Sequence, residues 1–346
     1  MSEVLLEEVG PNGNIQAVVE ADEDVCYFYL FGDEGTNFGV RSVWVRNHSA
    51  APDFLSITRL TSGVAPKNPG VYCRHPQGLP APRSGQLRVV WLPAGDGAAL
   101  YEGGEVVAIV PPCSGTNGFH GYARDCIGEG PLAWEITSDN ALIGRFREAG
   151  SYWQQWESAD MWPSVQEMLL SSIEQTFGDH SNYYAIDGGQ WPPKAIVRIP
   201  RPDGVVLVTI GVSVRPQPRV EMFTEQPELL RRIELGVVLP ARWTDDAVKR
   251  FASYMSGQSG LPWNRYSWLG SGHTIPCDSW ENASFSFALL QPSHPAVPTP
   301  TLEPLFGDPI NILWFVPISA AEQQTAVNHG SKELTQSLPS NRWEQS

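Results

Sequence analysis

The chain has 346 residues, 42% of them hydrophobic, with 13 Trp, 13 Phe and 10 Tyr, which excludes low-complexity disorder as its main state. Gly (32) and Pro (30) together far exceed the average usage of about 12%, favouring many short strands and tight turns over a helical bundle. A net charge of −15 and a pI near 4.9 exclude duplex nucleic acid and anionic membrane surfaces as favoured partners and leave a basic protein possible.

The acidic opening, Met1 to Gly10, lacks the basic and apolar regions of a secretory signal, and no apolar run reaches the roughly 18 residues of a membrane span. Cys26, Cys73, Cys113, Cys126 and Cys277 are an odd, scattered set without a Cys-x-x-Cys pair. They indicate neither a disulfide framework nor a standard zinc site, so the chain reads as cytoplasmic with free thiols.

Residues 1–137 read as mostly β. Asn14–Glu20 and Val25–Phe31 flank the turn Ala21-Asp-Glu-Asp24 as a hairpin. Phe38–Arg46 alternates Val40, Val43 and Val45 with Arg41 and Arg46, which predicts one dry and one wet face. Gln86–Leu92 and Glu105–Val110 are further strands, and no helix is expected before Asn140. Residues 64–84 form a Pro-rich ordered loop. The pattern then turns helical over Ser138–Ala149 and again from Pro163, where Val165, Met168, Leu169, Ile173 and Phe177 share a face and Gly178 can end the helix.

Strands follow at Ala195–Ile199, Val205–Val214 and Arg232–Leu239, and Thr244 opens a helix with Asp245 and Asp246 in its first turn. Ala283–Leu290 alternates Phe285, Phe287 and Leu289 as a strand buried on one face. Ile310–Ile318, apolar on both faces, is a central strand whose ladder Pro317 should end. Ser319-Ala-Ala-Glu322 matches a capping box, and Ser331–Leu338 is a last short helix. The pattern gives an α+β fold: a β-rich N-terminal domain over 1–150, then an α+β domain with a mixed sheet and flanking helices over 151–340. Charge divides almost evenly, −8 for residues 1–150 and −7 for the rest.

Three features carry candidate chemistry. Cys113, His120 and Cys126 fall within 14 residues, as a thiol-dependent enzyme or a metal site could use, but the intervening glycines also fit a tight loop. His273 lies among glycines with Cys277 four residues on. It offers two metal ligands without an evident third, or a histidine bonding a loop carbonyl. Trp153, Trp156 and Trp162 suit either a partner anchor or internal packing. No phosphate loop, Gly-x-Ser-x-Gly elbow or glycosidase carboxylate pair is present, and no catalytic residue, metal or cofactor is assigned.

From Ser172 to Leu338 the chain resembles the suppressor-of-fused domain family. The resemblance rests on Ser172-Ile-Glu-Gln-Thr-Phe-Gly178, Leu207–Ser213 followed by Arg215-Pro-Gln-Pro218, and Glu234–Pro240 with Trp243. It continues through Gly272-His-Thr-Ile275 and Asn311–Ile318, followed by Glu322, Gly330 and Leu334. Phe38–Asn47 and Gly118–Cys126 are similar to an N-terminal extension of some bacterial members. The family implies a binding protein, not an enzyme. Animal members grip a peptide of a transcription factor, partly as an added strand, and many bacterial members are inferred to be immunity proteins that neutralise polymorphic toxins. By position match, Tyr254 falls where animal members place a peptide-contacting tyrosine, and Gly272, His273 and Thr274 mark the partner-binding segment. Gly272 stands where animal members carry an acid, a departure that bears on the animal peptide mode. The expectation is a protein-binding module, most specifically an immunity protein against a basic toxin. The alternatives are a regulator or scaffold that binds a peptide by strand addition, and a cysteine-dependent enzyme using Cys113 or His120.

Overall fold

The computed structural model describes residues 2–346, which divide into two units. The first runs to Glu157 and includes Trp263–Tyr266; the second comprises Ser158–Pro262 and Ser267–Ser346. Among the described residues, no helix is long and apolar enough to cross a membrane.

The first unit opens with an antiparallel four-stranded sheet, β1 (Glu3–Val9), β2 (Ile15–Ala21), β3 (Val25–Gly32) and β4 (Val40–Asn47), in chain order. β2 alternates strictly: Ile15, Ala17, Val19 and Ala21 are buried, while Gln16, Val18 and Glu20 are half-buried on the other face. β4 departs from its expected wet and dry faces. The ladder to β3 carries an extra residue at Val45, so the period breaks and Val43, Trp44 and Val45 are all fully buried. Val40 is 63% exposed, and Arg46 is buried with Glu102 at 2.5 Å meeting its charge. A short helix, α1 (Ile57–Thr61), stands where none was expected. Five residues are too few to show a periodicity; Ser56 caps it by accepting from the Arg59 amide.

A second sheet of the unit runs β5 (Leu87–Trp91), β6 (Ala98–Glu102), β7 (Glu105–Val110), β8 (Tyr122–Ala123) and β9 (Trp134–Glu135). The unit's core gathers Phe28, Leu30, Trp44, Leu100 and Val110, each essentially inaccessible to solvent. Every such side chain contributes roughly 1.5–3 kcal/mol. The helix α2 (Ala141–Trp156) packs Phe146 and Ala149 against Val90 and Ile109 of the second sheet. It continues beyond the expected Ala149 because nothing in Gly150–Trp156 stops it. Its residue Trp153 donates its indole N–H to the Trp91 carbonyl at 2.7 Å.

The second unit has α+β architecture around a mixed seven-stranded sheet. Its strands are β10 (Asn182–Ala185), β11 (Ala195–Arg201), β12 (Gly204–Ile210), β13 (Arg232–Pro240), β14 (Thr274–Pro276), β15 (Phe287–Gln291) and β16 (Ile310–Ile318). They lie in the order β10-β11-β12-β13-β16-β15-β14, with only β13 and β16 parallel. All nine residues of β13 are buried, as a central strand covered on both faces requires. β16 is similarly central, but Pro317 does not end it: the antiparallel ladder to β15 runs through Pro317 to Ile318, and only the parallel ladder to β13 stops, at Trp314. β15 is shorter than expected, and Ala288, Leu289 and Leu290 are all fully buried, so its alternation is not one-faced.

Flanking helices are α3 (Met161–Phe177), α4 (Asp245–Gln258), α5 (Leu261–Arg265, whose last three residues group with the first unit), α6 (Ala320–His329) and α7 (Ser331–Ser337). α3 starts two residues before Pro163, which its first turn tolerates because the amides there need no helical partner. Val165, Leu169, Ile173 and Phe177 form its buried stripe. Thr244 caps α4, and Ser319 with Glu322 forms the expected capping box of α6.

Candidate functional site

A groove of about 520 Å³ opens in the second unit between residues 267–275 and the α6–α7 junction. Trp268, His273 and Thr274 line one wall; Ala326, Val327 and Ser331 line the other. Gly272 shapes the wall. It has φ +85, and a Cβ there would stand 2.2 Å from Ser331 Oγ, so only glycine allows this approach without displacement. Its amide donates to the Leu290 carbonyl at 2.7 Å, and the Leu290 amide donates to the His273 carbonyl at 2.8 Å, tying the wall to β15.

The His273 ring meets Trp268 edge-on at 4.6 Å, and its Nδ1 accepts from the Gly270 amide at 3.3 Å. Burial lowers its pKa, which keeps the imidazole neutral at neutral pH. Phe223, 58% exposed, stacks on Trp268 at 5.9 Å, and Val327 is 64% exposed. His273 is the one titratable side chain among the lining residues. Such a surface can take apolar side chains of a protein segment; it has no second proton-transfer group beside the histidine.

The structure brings Gly272, His273 and Thr274 together and leaves Tyr254 outside the groove lining. From α4, Tyr254 donates its hydroxyl to the Pro276 carbonyl at 2.7 Å, and its ring packs on Phe251 and Phe315. Burial pushes its phenol far above the ordinary range. The hydroxyl occupies a carbonyl of β14, an edge strand of three residues whose Pro276 has no N–H. That edge is therefore poor for strand addition. The opposite edge, β10, offers four residues, three of them exposed.

In the first unit, Cys113 is exposed, while His120 directs Nδ1 at the Ser42 carbonyl, 3.2 Å away. Cys126 is buried opposite Cys73, its Sγ 3.0 Å from the Ala133 carbonyl, and burial raises its pKa. A thiol so placed is a poor nucleophile. Among the described residues, no three His, Cys, Asp or Glu side chains gather to hold a metal. The tryptophans also separate: Trp153 and Trp156 flank Tyr152 on α2, whereas Trp162 lies against Gly211 in the second unit.

Sequence reasoning passed over Glu234, whose side chain is completely buried on β13. Its Oε1 accepts from the Gly211 amide (3.0 Å), the Ser213 amide (3.0 Å) and the Ser213 hydroxyl (2.6 Å), and Oε2 accepts from the Thr209 hydroxyl (2.6 Å). Burial outweighs these bonds and pushes the carboxyl up to about 7. It fastens the turn after β12, where Gly211 takes φ +93 and ends the strand earlier than the apolar run suggested. Arg232, two residues before, bonds the Ser213 and Val214 carbonyls and pairs with buried Asp308 at 2.9 Å. The available signal was two charges inside the apolar run Arg232–Pro240.

Residues 190–345, somewhat less than half of the chain, match the family model described as Suppressor of fused protein (SUFU). Among solved structures, the chain is similar to that of the Sufu–Fu complex, with 13% identity and a TM-score of 0.35, covering 50% of this chain and 82% of that one. It is also similar to Drosophila Suppressor of Fused, with 12% identity and a TM-score of 0.37, covering 50% and 46%. The comparison with curated proteins gives no match.

Proposed function

With residues 190–345 matching the suppressor-of-fused family, we propose that this chain is a non-enzymatic protein-binding module, and most specifically an immunity protein that neutralises a cognate polymorphic toxin in the cytoplasm. The observation that carries the binding reading is the groove beside Gly272, His273 and Thr274. It is lined mainly by apolar and small residues, rimmed by exposed Val327, and its one histidine is held neutral. The −15 charge supports a basic toxin as partner, since opposite charge accelerates encounter and salt screens it. Co-expression with the toxins encoded by neighbouring genes tests the reading. Rescue of growth and recovery of a complex are expected; absence of both with every such toxin would remove the immunity role. Val327→Glu should weaken any complex formed through the groove without unfolding the chain, because that side chain is already in water.

A second reading, a regulator that captures a peptide by strand addition, is favoured by β10, whose exposed edge offers unpaired backbone for an added strand. A Tyr183→Pro change on β10 should abolish peptide capture under this reading and leave the groove-borne complex intact.

A further inference from the structure

The even division of charge between the halves conceals a strong local asymmetry. The first 40 residues hold nine Asp and Glu and no Lys, Arg or His. Folding turns part of this segment into one face of the four-stranded sheet, the face opposite Ile15, Ala17 and Val19. Glu7 of β1 stands beside Val18, Val18 beside Tyr29, and Glu20 beside Tyr27. The face keeps Val9 60% exposed and, on β4, Val40 63% exposed. Tyr29 is stacked between Tyr27 at 5.7 Å and Phe31 at 5.4 Å. At its Tyr27 end lies a cleft of about 570 Å³, lined by Glu20, Asp22, Glu23, Asp24, Tyr29 and Arg59 among others. Arg59 reaches Asp24 at 2.7 Å and Asp22 at 3.6 Å, and Lys67 reaches Asp24 at 3.5 Å. The same cations leave Glu20 and Glu23 without an ion pair among the described residues.

We propose that this sheet face is a docking surface for an extended basic segment of a protein partner, whose Lys or Arg head group enters the cleft between Glu20 and Glu23. A cation there gains two carboxylates. The partner's apolar side chains cover Val9, Val18 and Phe31. Every second side chain of an extended segment meets this face, so one whose facing positions alternate cation and apolar residue presents both sets to it. The charge complementarity selects the occupant: an acidic segment would be repelled, and a neutral apolar one would leave both carboxylates unpaired. This surface belongs to the first unit and does not depend on the groove or on the partner being a toxin.

The test uses the full chain and a fluorescein-labelled Lys–Val peptide of about twelve residues repeating Lys-Ser-Val-Ser, with its Glu–Val counterpart, repeating Glu-Ser-Val-Ser, as control. Fluorescence anisotropy should show the Lys–Val peptide binding and the Glu–Val peptide not binding. Affinity should fall as salt rises from about 50 to about 300 mM. Glu20→Lys with Glu23→Lys should weaken binding roughly ten-fold or more, while Glu303→Lys with Glu333→Lys, an equal change of net charge at exposed positions of the second unit, should change it less than about two-fold. If circular dichroism shows that the double reversal unfolds the sheet, the isosteric Glu20→Gln with Glu23→Gln pair takes its place under the same criterion. No binding to the wild type, equal losses in the Glu303→Lys, Glu333→Lys control, or equal binding of the Glu–Val peptide would each overturn the proposal.

Discussion

Replacing Glu234 by Gln keeps the shape of the side chain and removes its ability to ionise. In the folded protein the carboxyl titrates at about 7 instead of the ordinary 4.5, because complete burial disfavours the anion more than its four hydrogen bonds favour it. A raised folded-state value means that the native protein holds its proton more tightly than the unfolded chain. The stabilisation is therefore full below pH 4.5 and is lost as pH rises through about 7. At 1.36 kcal/mol per pH unit, that interval corresponds to roughly 3 kcal/mol. His294 acts in the opposite sense: burial lowers its pKa to about 4, so its contribution is lost as pH falls from 6.5 toward 4. It is common to both proteins and cancels from their difference. Urea unfolding of wild type and Glu234→Gln at intervals from pH 4.5 to 7.5 should show the variant gaining roughly 3 kcal/mol relative to wild type as pH rises. A pH-independent difference would refute the reasoning, for it would mean that the amides of Gly211 and Ser213, and not burial, decide the state of the carboxyl.

Asp308→Asn should destabilise the second unit by about 3–5 kcal/mol, since Arg232 is 3% exposed and would lose its charge partner; thermal unfolding measures it. Gly272→Ala should cost about 1–3 kcal/mol from the left-handed backbone and the 2.2 Å approach to Ser331 Oγ. Combining it with Ser331→Gly should recover the steric part only, giving a non-additive double-mutant cycle in urea. In native protein at pH 8, iodoacetamide should modify Cys113 first; burial pushes Cys73 to about 12 and raises Cys126, so both should react only on unfolding. Intact mass would show a second fast adduct if that is wrong.

The parts of the fold legible in the sequence were those with local causes. The Ser319–Glu322 capping box, the Thr244 cap and the apolar stripe of α3 are each set by residues within a few positions of one another. What was not legible depended on distant partners. Arg46 looked like a surface residue until Glu102 met it across 56 positions, and β1 was hidden because its Glu3, Glu7 and Glu8 mask an edge strand. Gly272, His273 and Thr274 could be picked out as a glycine-flanked segment, but their opposite wall is contributed by Ala326 to Ser331, which no local pattern links to them. Tyr254 was singled out by position match alone, and its hydroxyl bond to the Pro276 carbonyl spans 22 positions that no local pattern connects.

The proposed function, neutralisation of a toxin by binding it, is tested most directly by titrating this chain against each purified toxin that a neighbouring gene encodes and weighing the product by light scattering. A complex of fixed stoichiometry, loss of toxicity on its formation, and slower association as salt is raised are expected. A toxin that stays free and fully active in excess of this chain would contradict it.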